Sequence, residues 1–283
     1  MTTTVVPSLR SRIGAGLFAR VAGPEGPARR ERIHGTPGER WFPEGAPIRR
    51  VHGDASMFVG GVRALLLQSL HPLAMAGVAA HSGYQGDPWG RLQRTSHFLA
   101  VTTFGPAGDA EAMVQRIRRV HETVRGTAPD GRAYAASDPH LLRWVHVAEV
   151  DSFLAAHQRY GREPLDRAGR DRYVAETARV GQALGATDLP FSEGELRDRI
   201  EAYRPELEGT EAAREAARFI LLSPPLPVLA RPPYSAIALG ALELLPAWAR
   251  DGLGLPSPPS APARVAGAAI TRTIRWAMAA PPD

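Results

Sequence analysis

The histidine best placed for metal chemistry lies on the apolar stripe of a strongly periodic segment. Residues 108–125 carry apolar side chains at helical spacing, and His121 falls on that stripe. Arg125 follows four residues later, so a helix over the whole segment would put both side chains on one face. An imidazole in this position is either a histidine hydrogen-bonded within the core or a ligand to a metal or haem iron. The position alone favours the core histidine.

A second group of polar side chains shares one helical face. At about 100° per residue, Arg91, Arg94 and Thr95 project on the same side of a helix. Phe98 ends that face. A guanidinium fork bonds both oxygens of a carboxylate. The face could therefore hold the propionates of a tetrapyrrole or polarised oxygen, or it could be a solvated rim of the surface.

Several kinds of catalysis are excluded by residues that the chain lacks. Without cysteine there is no disulfide, thiolate zinc site, iron–sulfur cluster or cysteine nucleophile. All 34 basic residues are arginine, so there is neither a Schiff-base lysine nor a phosphate-loop lysine. No Gly-x-Ser-x-Gly or His-Glu-x-x-His spacing occurs. The histidines His71, His81 and His146 are therefore more typical of core residues than of ligands.

Composition and charge indicate an ordinary globular protein. The chain has 283 residues, 44% hydrophobic and 22% charged, with a net charge of +5. The arginines are spread along the chain and form no concentrated basic patch, so no nucleic-acid partner is expected. No run approaches the roughly 18 apolar residues of a membrane span, and the N-terminus is a poor signal peptide. The expected location is cytoplasmic.

Helical periodicity dominates and strand patterns are scarce, which predicts an all-α fold. We expect a proline- and glycine-rich N-terminal arm over residues 1–47 and a single helical domain over 48–283. A loop is predicted at 83–90, a turn within 127–137 and a proline-rich link at 224–233. Helices are predicted near 8–21, over 52–81 with a break at Pro72, over 91–103, over 108–125 with a stop at Gly126, from Pro139 to about Tyr160, from the Ser192/Glu195 capping box, and over 210–221, 235–250 and 262–279.

Five segments together resemble the MpaB-type oxygenases, which include the rubber-cleaving latex-clearing proteins. Their order and spacing carry the resemblance, which covers roughly residues 48–250. The segments are Arg-Leu-Gln-Arg-Thr-Ser-His-Phe-Leu at 91–99, Val-Thr-Thr-Phe-Gly at 101–105, Arg-Arg-Val-His-Glu-Thr-Val-Arg-Gly at 118–126, Asp-Gly-Arg-Ala-Tyr-Ala-Ala-Ser-Asp-Pro at 130–139 and Trp-Val-His at 144–146.

The resemblance implies a globin-like helical core that binds one b-type haem. His121 then matches the axial iron ligand and Arg125 its neighbour four residues on. Arg91, Arg94 and Thr95 match an element on the opposite side of the haem, where they would act on bound dioxygen, and Arg91 would also contact the cofactor. The implied partners are dioxygen and a hydrophobic small molecule.

Two departures from the rubber-cleaving members change the expected chemistry. Arg94 stands where those enzymes can have a lysine, and a guanidinium cannot coordinate iron. We therefore expect a resting iron that is five-coordinate or bound to water. Residues 64–81 contain no carboxylate to match the upstream base of those enzymes, so polyisoprene cleavage is not expected.

Two functions of different classes stay open at this point. The first is a haem b-dependent oxygenase or oxidase that acts on a hydrophobic small molecule with dioxygen activated at iron held by His121. The alternative is a non-enzymatic helical protein that binds haem or another apolar ligand as a sensor or carrier, which the missing upstream carboxylate favours. A basic protein associated with nucleic acid is a weaker third interpretation.

Overall fold

A computed structural model describes residues 8–81 and 86–279, and it confirms the all-α class. Part of the predicted loop at 83–90 lies outside these residues. The helices in the described residues are α1 (Leu9–Ala22), α2 (Gly26–Gly35), α3 (Pro47–His52), α4 (Met57–Gln68), α5 (Pro72–His81), α6 (Pro88–Phe104), α7 (Ala107–Thr123), α8 (Pro139–Tyr160), α9 (Arg167–Leu184), α10 (Glu193–Tyr203), α11 (Glu211–Leu222), α12 (Arg231–Leu244), α13 (Ala247–Leu253) and α14 (Ser260–Met278). Short 3₁₀ turns follow α10 and precede α12, and β1 (Arg125–Thr127) pairs antiparallel with β2 (Ala133–Ala135).

Helices α4 and α8 form the centre of the molecule. The Asp138 side chain accepts a hydrogen bond from the His140 amide and Pro139 takes the first turn, so α8 starts where the sequence predicts. Trp144 on α8 is fully buried, and α4 is apolar on almost every side. Burying each large apolar side chain contributes roughly 1.5–3 kcal/mol, which makes this pair the main source of core stability.

A buried ion pair ties α4 and α8 together. Arg63 is only 4% exposed, and its guanidinium lies 2.7 Å from the Asp151 carboxylate. The same guanidinium donates to the Ser152 hydroxyl at 2.7 Å and to the Leu244 carbonyl at 3.0 Å. Because Leu244 ends α12, this one arginine fixes three helices relative to each other.

Prolines divide two of the predicted helices. The predicted break at Pro72 separates α4 from α5, which bend by 108°. The prediction of one helix over 235–250 is wrong, because Pro246 cannot continue the hydrogen-bonding pattern and starts α13 as a separate helix. None of the described helices is by itself both long and apolar enough to cross a membrane, and only the bent pair α4 and α5 together meets those criteria.

The prediction that α7 continues to Arg125 is also wrong. The helix ends at Thr123, and Val124 has an extended backbone. The Ala136 amide donates to the Val124 carbonyl, so pairing with the second strand draws the chain out of the helix. Arg125 therefore lies in β1 opposite Ala135, and it does not share a helical face with His121.

The β-hairpin also explains Gly126, which the sequence analysis assigned to a helix stop. A Cβ atom at Gly126 would lie 2.6 Å from the Tyr134 hydroxyl, so the tyrosine needs a glycine opposite it. Gly131 turns the chain with φ +88°, as expected of the turn signature Pro129-Asp130-Gly131. Tyr134 is 7% exposed, and this burial holds the hairpin against the protein.

Helix α9 was not predicted from the sequence. Asp166 caps it by accepting from the Gly169 amide, and Gly185 ends it in the left-handed conformation with φ +106°. These signals stand at both ends of the helix. Its interior alternates arginines with small residues and has no long apolar stripe. Near the N-terminus, α1 packs on α14, where the Arg10 guanidinium donates to the Trp276 carbonyl.

Candidate functional site

A helical hairpin brings Arg91 and His121 to the same end of the fold. Helices α6 and α7 pack against each other and are joined only by Gly105 and Pro106. Arg91 and His121 stand at nearly equal distances from that turn along their antiparallel helices, about 20 Å at 1.5 Å per residue. The structure thus places both sequence-predicted residues at the open end of one hairpin.

His121 has the properties of an imidazole without an internal partner. Its side chain is partly buried, and its Nδ1 atom is buried with no hydrogen-bond partner. Desolvation lowers the pKa of the imidazole below its ordinary value, so the ring is neutral at pH 7. A core histidine normally satisfies its buried nitrogens, so this orphaned atom weakens the core interpretation of His121.

A second histidine with an orphaned nitrogen lies on α8. The Nε2 atom of His146 is buried without a hydrogen-bond partner, and burial lowers the pKa of the ring to about 4. Helix α9 approaches it closely, since a Cβ atom at Gly181 would lie 2.9 Å from His146 Nδ1. The glycine therefore leaves room for the imidazole to point between α8 and α9.

Glu149, one helical turn after His146, was missed by the sequence analysis. Burial raises the pKa of its carboxyl to about 7, and the pKa of the fully buried Tyr173 is raised by burial first and by the charge of Glu149 second. Yet Glu149 and His146 both keep accessible surface. Both groups are therefore strongly desolvated although neither is completely covered. The available signal was a carboxylate within the run from Trp144 to Val150, in which the other residues apart from His146 are apolar.

A third polar group, around His52, lies on the other side of Tyr173. His52 Nδ1 is 2.9 Å from the Thr103 hydroxyl, and its Nε2 is 3.3 Å from the Tyr173 hydroxyl. Burial lowers the pKa of His52 to about 3, so it is a neutral link between α3, α6 and α9. This histidine has partners at both nitrogens, which distinguishes it from His121 and His146.

The remaining predicted site residues are nearer the surface. Arg94 is exposed and forms an ion pair with Asp87 at 3.2 Å, and Thr95 is exposed as well. Arg91 is partly buried. Arg125 is exposed in β1. The described contacts of Arg94 thus engage it with the carboxylate that caps its own helix.

His121 would be suited to hold a haem iron. A histidine ligand must be neutral with a free nitrogen, and His121 is neutral at pH 7 with an unpaired Nδ1. A partly buried arginine at the same end of the hairpin is suited to bind a propionate. The chain has no cysteine that could compete as a thiolate ligand.

Comparison with known proteins gives one family. Residues 49–276 match the family described as "ER-bound oxygenase mpaB/B'/Rubber oxygenase, catalytic domain". Two curated relatives, Mb2261 of Mycobacterium bovis and Rv2237 of Mycobacterium tuberculosis, are each 33% identical over 98 residues, and both are described as uncharacterized. That alignment covers 34% of this chain and 38% of each relative, less than half of either. No solved structure matches significantly.

Proposed function

The chain belongs to the mpaB/rubber oxygenase catalytic-domain family, and we propose that it is a haem b-dependent oxygenase or oxidase of a hydrophobic small molecule. The match covers most of the chain, from the end of α3 into α14. The observation that carries the proposal is His121, a neutral, partly buried imidazole whose Nδ1 has no hydrogen-bond partner. When bound, the haem would supply the iron at which dioxygen is activated.

Each of the predicted site residues would have a separate role in binding the haem or in acting on dioxygen. His121 would hold the iron from α7, and Arg91 on α6 would bind a propionate through its guanidinium fork. Arg94 and Thr95 remain the predicted donors on the opposite side of the haem, while Arg125 remains a predicted neighbour of the ligand from its position in β1. Both side chains are exposed, so they would act from the solvent side of such a site.

We infer that His146 and Glu149 line a recess between α8 and α9 that receives the hydrophobic substrate. Desolvation leaves His146 uncharged at neutral pH and keeps a proton on Glu149 up to about pH 7. An uncharged lining lowers the cost of burying an apolar molecule. A protonated Glu149 can donate one hydrogen bond to an oxygen of the substrate and hold a proton there.

A sensor or carrier is the second candidate. The exposure of Arg94 and Thr95 favours it, because donors in contact with water are poorly placed to stabilise a reacting oxygen species. Such a protein would bind haem through His121 and consume no dioxygen.

Oxygen uptake by haem-loaded protein separates the two candidates. A panel of alkenes and prenyl alcohols would be tested with the parent, with His121→Ala and with His34→Ala, which removes an exposed histidine on α2. The oxygenase proposal expects substrate-dependent uptake in the parent and in the His34→Ala variant, and none in His121→Ala. Haem binding without uptake on any substrate would support the carrier instead.

A further inference from the structure

Three potential metal ligands from different elements meet away from the proposed haem ligand. His71 stands between α4 and α5, His140 lies in the first turn of α8, and Glu206 belongs to the 3₁₀ turn after α10. Their ligand atoms all lie within 4.8 Å of one another. Glu206 Oε2 is 2.8 Å from His140 Nε2 and 3.6 Å from His71 Nε2. Among the described residues, only these three form such a group.

His71 is the member that most needs a ligand. It is 1% exposed, and neither ring nitrogen has a hydrogen-bond partner. Leaving a buried polar atom unpaired costs about 1–3 kcal/mol. Its Nε2 points toward the Glu206 carboxylate, where a cation would satisfy it.

His140 is held in an orientation that a cation can use. Without metal, Arg143 Nη2 donates to His140 Nδ1 at 2.9 Å, so the ring proton is on Nε2 and is donated to Glu206. A metal ion would replace that proton on Nε2. The proton on Nδ1 could then be donated to the Tyr203 hydroxyl, which lies 3.5 Å away. The ring would thus change tautomer on binding.

The positive charge of Arg143 lies beside His140 and opposes the binding of a cation there. Its guanidinium has three other acceptors, namely the Tyr203 hydroxyl at 2.9 Å, the Thr187 carbonyl at 3.3 Å and the Asp188 carboxylate at 3.0 Å. It can therefore release His140 without losing all of its partners. Asp188 pairs with both Arg143 and Arg199, at 3.0 and 2.8 Å, and the carboxylate of Glu206 faces the two histidines.

We propose that His71, His140 and Glu206 bind one divalent transition-metal ion, with zinc the best match. Two imidazoles and one carboxylate are a common donor set for zinc, at about 2.0–2.2 Å from the metal. Ligands at these distances would stand about 3.3 Å apart in a tetrahedron, close to the present separations from Glu206. The fourth position would be taken by water, because His140 and Glu206 are 39% and 41% exposed. The ion would join the starts of α5 and α8 to the end of α10.

A cobalt titration tests the site directly. Full-length protein without an affinity tag is titrated with Co²⁺, whose visible absorption reports tetrahedral nitrogen and oxygen ligands, and zinc is then added as competitor. We expect one equivalent per chain, displaced by zinc. Glu206→Gln, His140→Ala and His71→Ala should each weaken binding about tenfold or more, and the matched control His34→Ala should bind like the parent.

Two further comparisons make the result decisive. Glu206 is partly exposed, so Glu206→Gln keeps the fold even if the buried His71→Ala variant does not. His121→Ala should bind cobalt like the parent, which separates this site from the proposed haem ligand. Failure to saturate with cobalt or zinc, or parent-like affinity in both Glu206→Gln and His140→Ala, would overturn the proposal whatever the haem experiments show.

Discussion

Replacing the carboxyl of Glu149 should remove a pH-dependent loss of stability. Burial raises the pKa of Glu149 from 4.5 in the unfolded chain to about 7 in the fold. As the pH rises from 4.5 to 7, the unfolded chain loses this proton and the folded one keeps it, so folding becomes less favourable. Above about pH 7 both forms are ionised and the penalty is complete. Glu149→Gln cannot ionise and should escape it.

The size of the effect follows from the shift in pKa. At 1.36 kcal/mol for each pKa unit, the full shift corresponds to about 3 kcal/mol. Glu149 keeps some accessible surface, and water reaching the carboxylate screens its charge, so we expect about 2 kcal/mol. The free energy of unfolding of Glu149→Gln minus that of the parent should therefore be larger at pH 8 than at pH 5, by about 2 kcal/mol.

Urea unfolding at the two pH values measures this difference. The histidines contribute equally to the parent and the variant, so their titration cancels in the comparison. Glu111→Gln on α7 is the control, because Glu111 is exposed and its replacement should leave the pH dependence unchanged. If the difference between the parent and Glu149→Gln is the same at pH 5 and pH 8, Glu149 is not desolvated and does not line an interior recess.

Three further substitutions test the framework around the site. Asp151→Ala should destabilise the fold by about 3–5 kcal/mol in urea, because it leaves the buried Arg63 guanidinium without its charge partner at 2.7 Å. Asp138→Ala removes the cap of α8 and should cost about 1 kcal/mol, measured in the same assay. Gly181→Ala should lower the stability by about 1–3 kcal/mol, since its Cβ would lie 2.7 Å from Leu189 Cδ1 and 2.9 Å from His146 Nδ1. An unchanged free energy of unfolding in Gly181→Ala would mean that Leu189 and His146 do not pack against Gly181.

The parts of the fold that were predicted correctly have strong local signals. The pair Asp138-Pro139 marks the start of α8, and Ser192 caps α10 by accepting from the Glu195 amide. Each signal acts within one helical turn, so the sequence alone reveals it. The break at Pro72 follows equally from local geometry.

The errors arise where distant contacts override local pattern. The apolar stripe of 108–125 continues past Thr123, yet pairing with a second strand draws Arg125 into β1. That pairing depends on Tyr134, which packs over Gly126 from the other strand. A helical stripe contains no information about a partner strand that follows it in the chain.

The sequence predicts only part of the candidate site, because the rest depends on contacts between distant segments. His121 was identified because its position on an apolar stripe is visible in the sequence. Glu149 was missed because its pKa depends on helices packed around α8, and the group formed by His71, His140 and Glu206 was missed because its members are far apart in the chain. The globin-like character of the core and the division into an arm and a domain remain predictions.

The central claim is that His121 holds a haem iron. The most direct test is to remove the imidazole of His121 and to restore binding with free imidazole. His121→Gly would be expressed under haem-replete conditions, and its absorption spectrum recorded with and without added imidazole beside that of the parent. The account predicts a Soret band in the parent, its loss or shift in His121→Gly, and its return with imidazole, which takes the place of the missing ring. A Soret band in His121→Gly that matches the parent without imidazole would contradict it, as would a parent that takes up no haem.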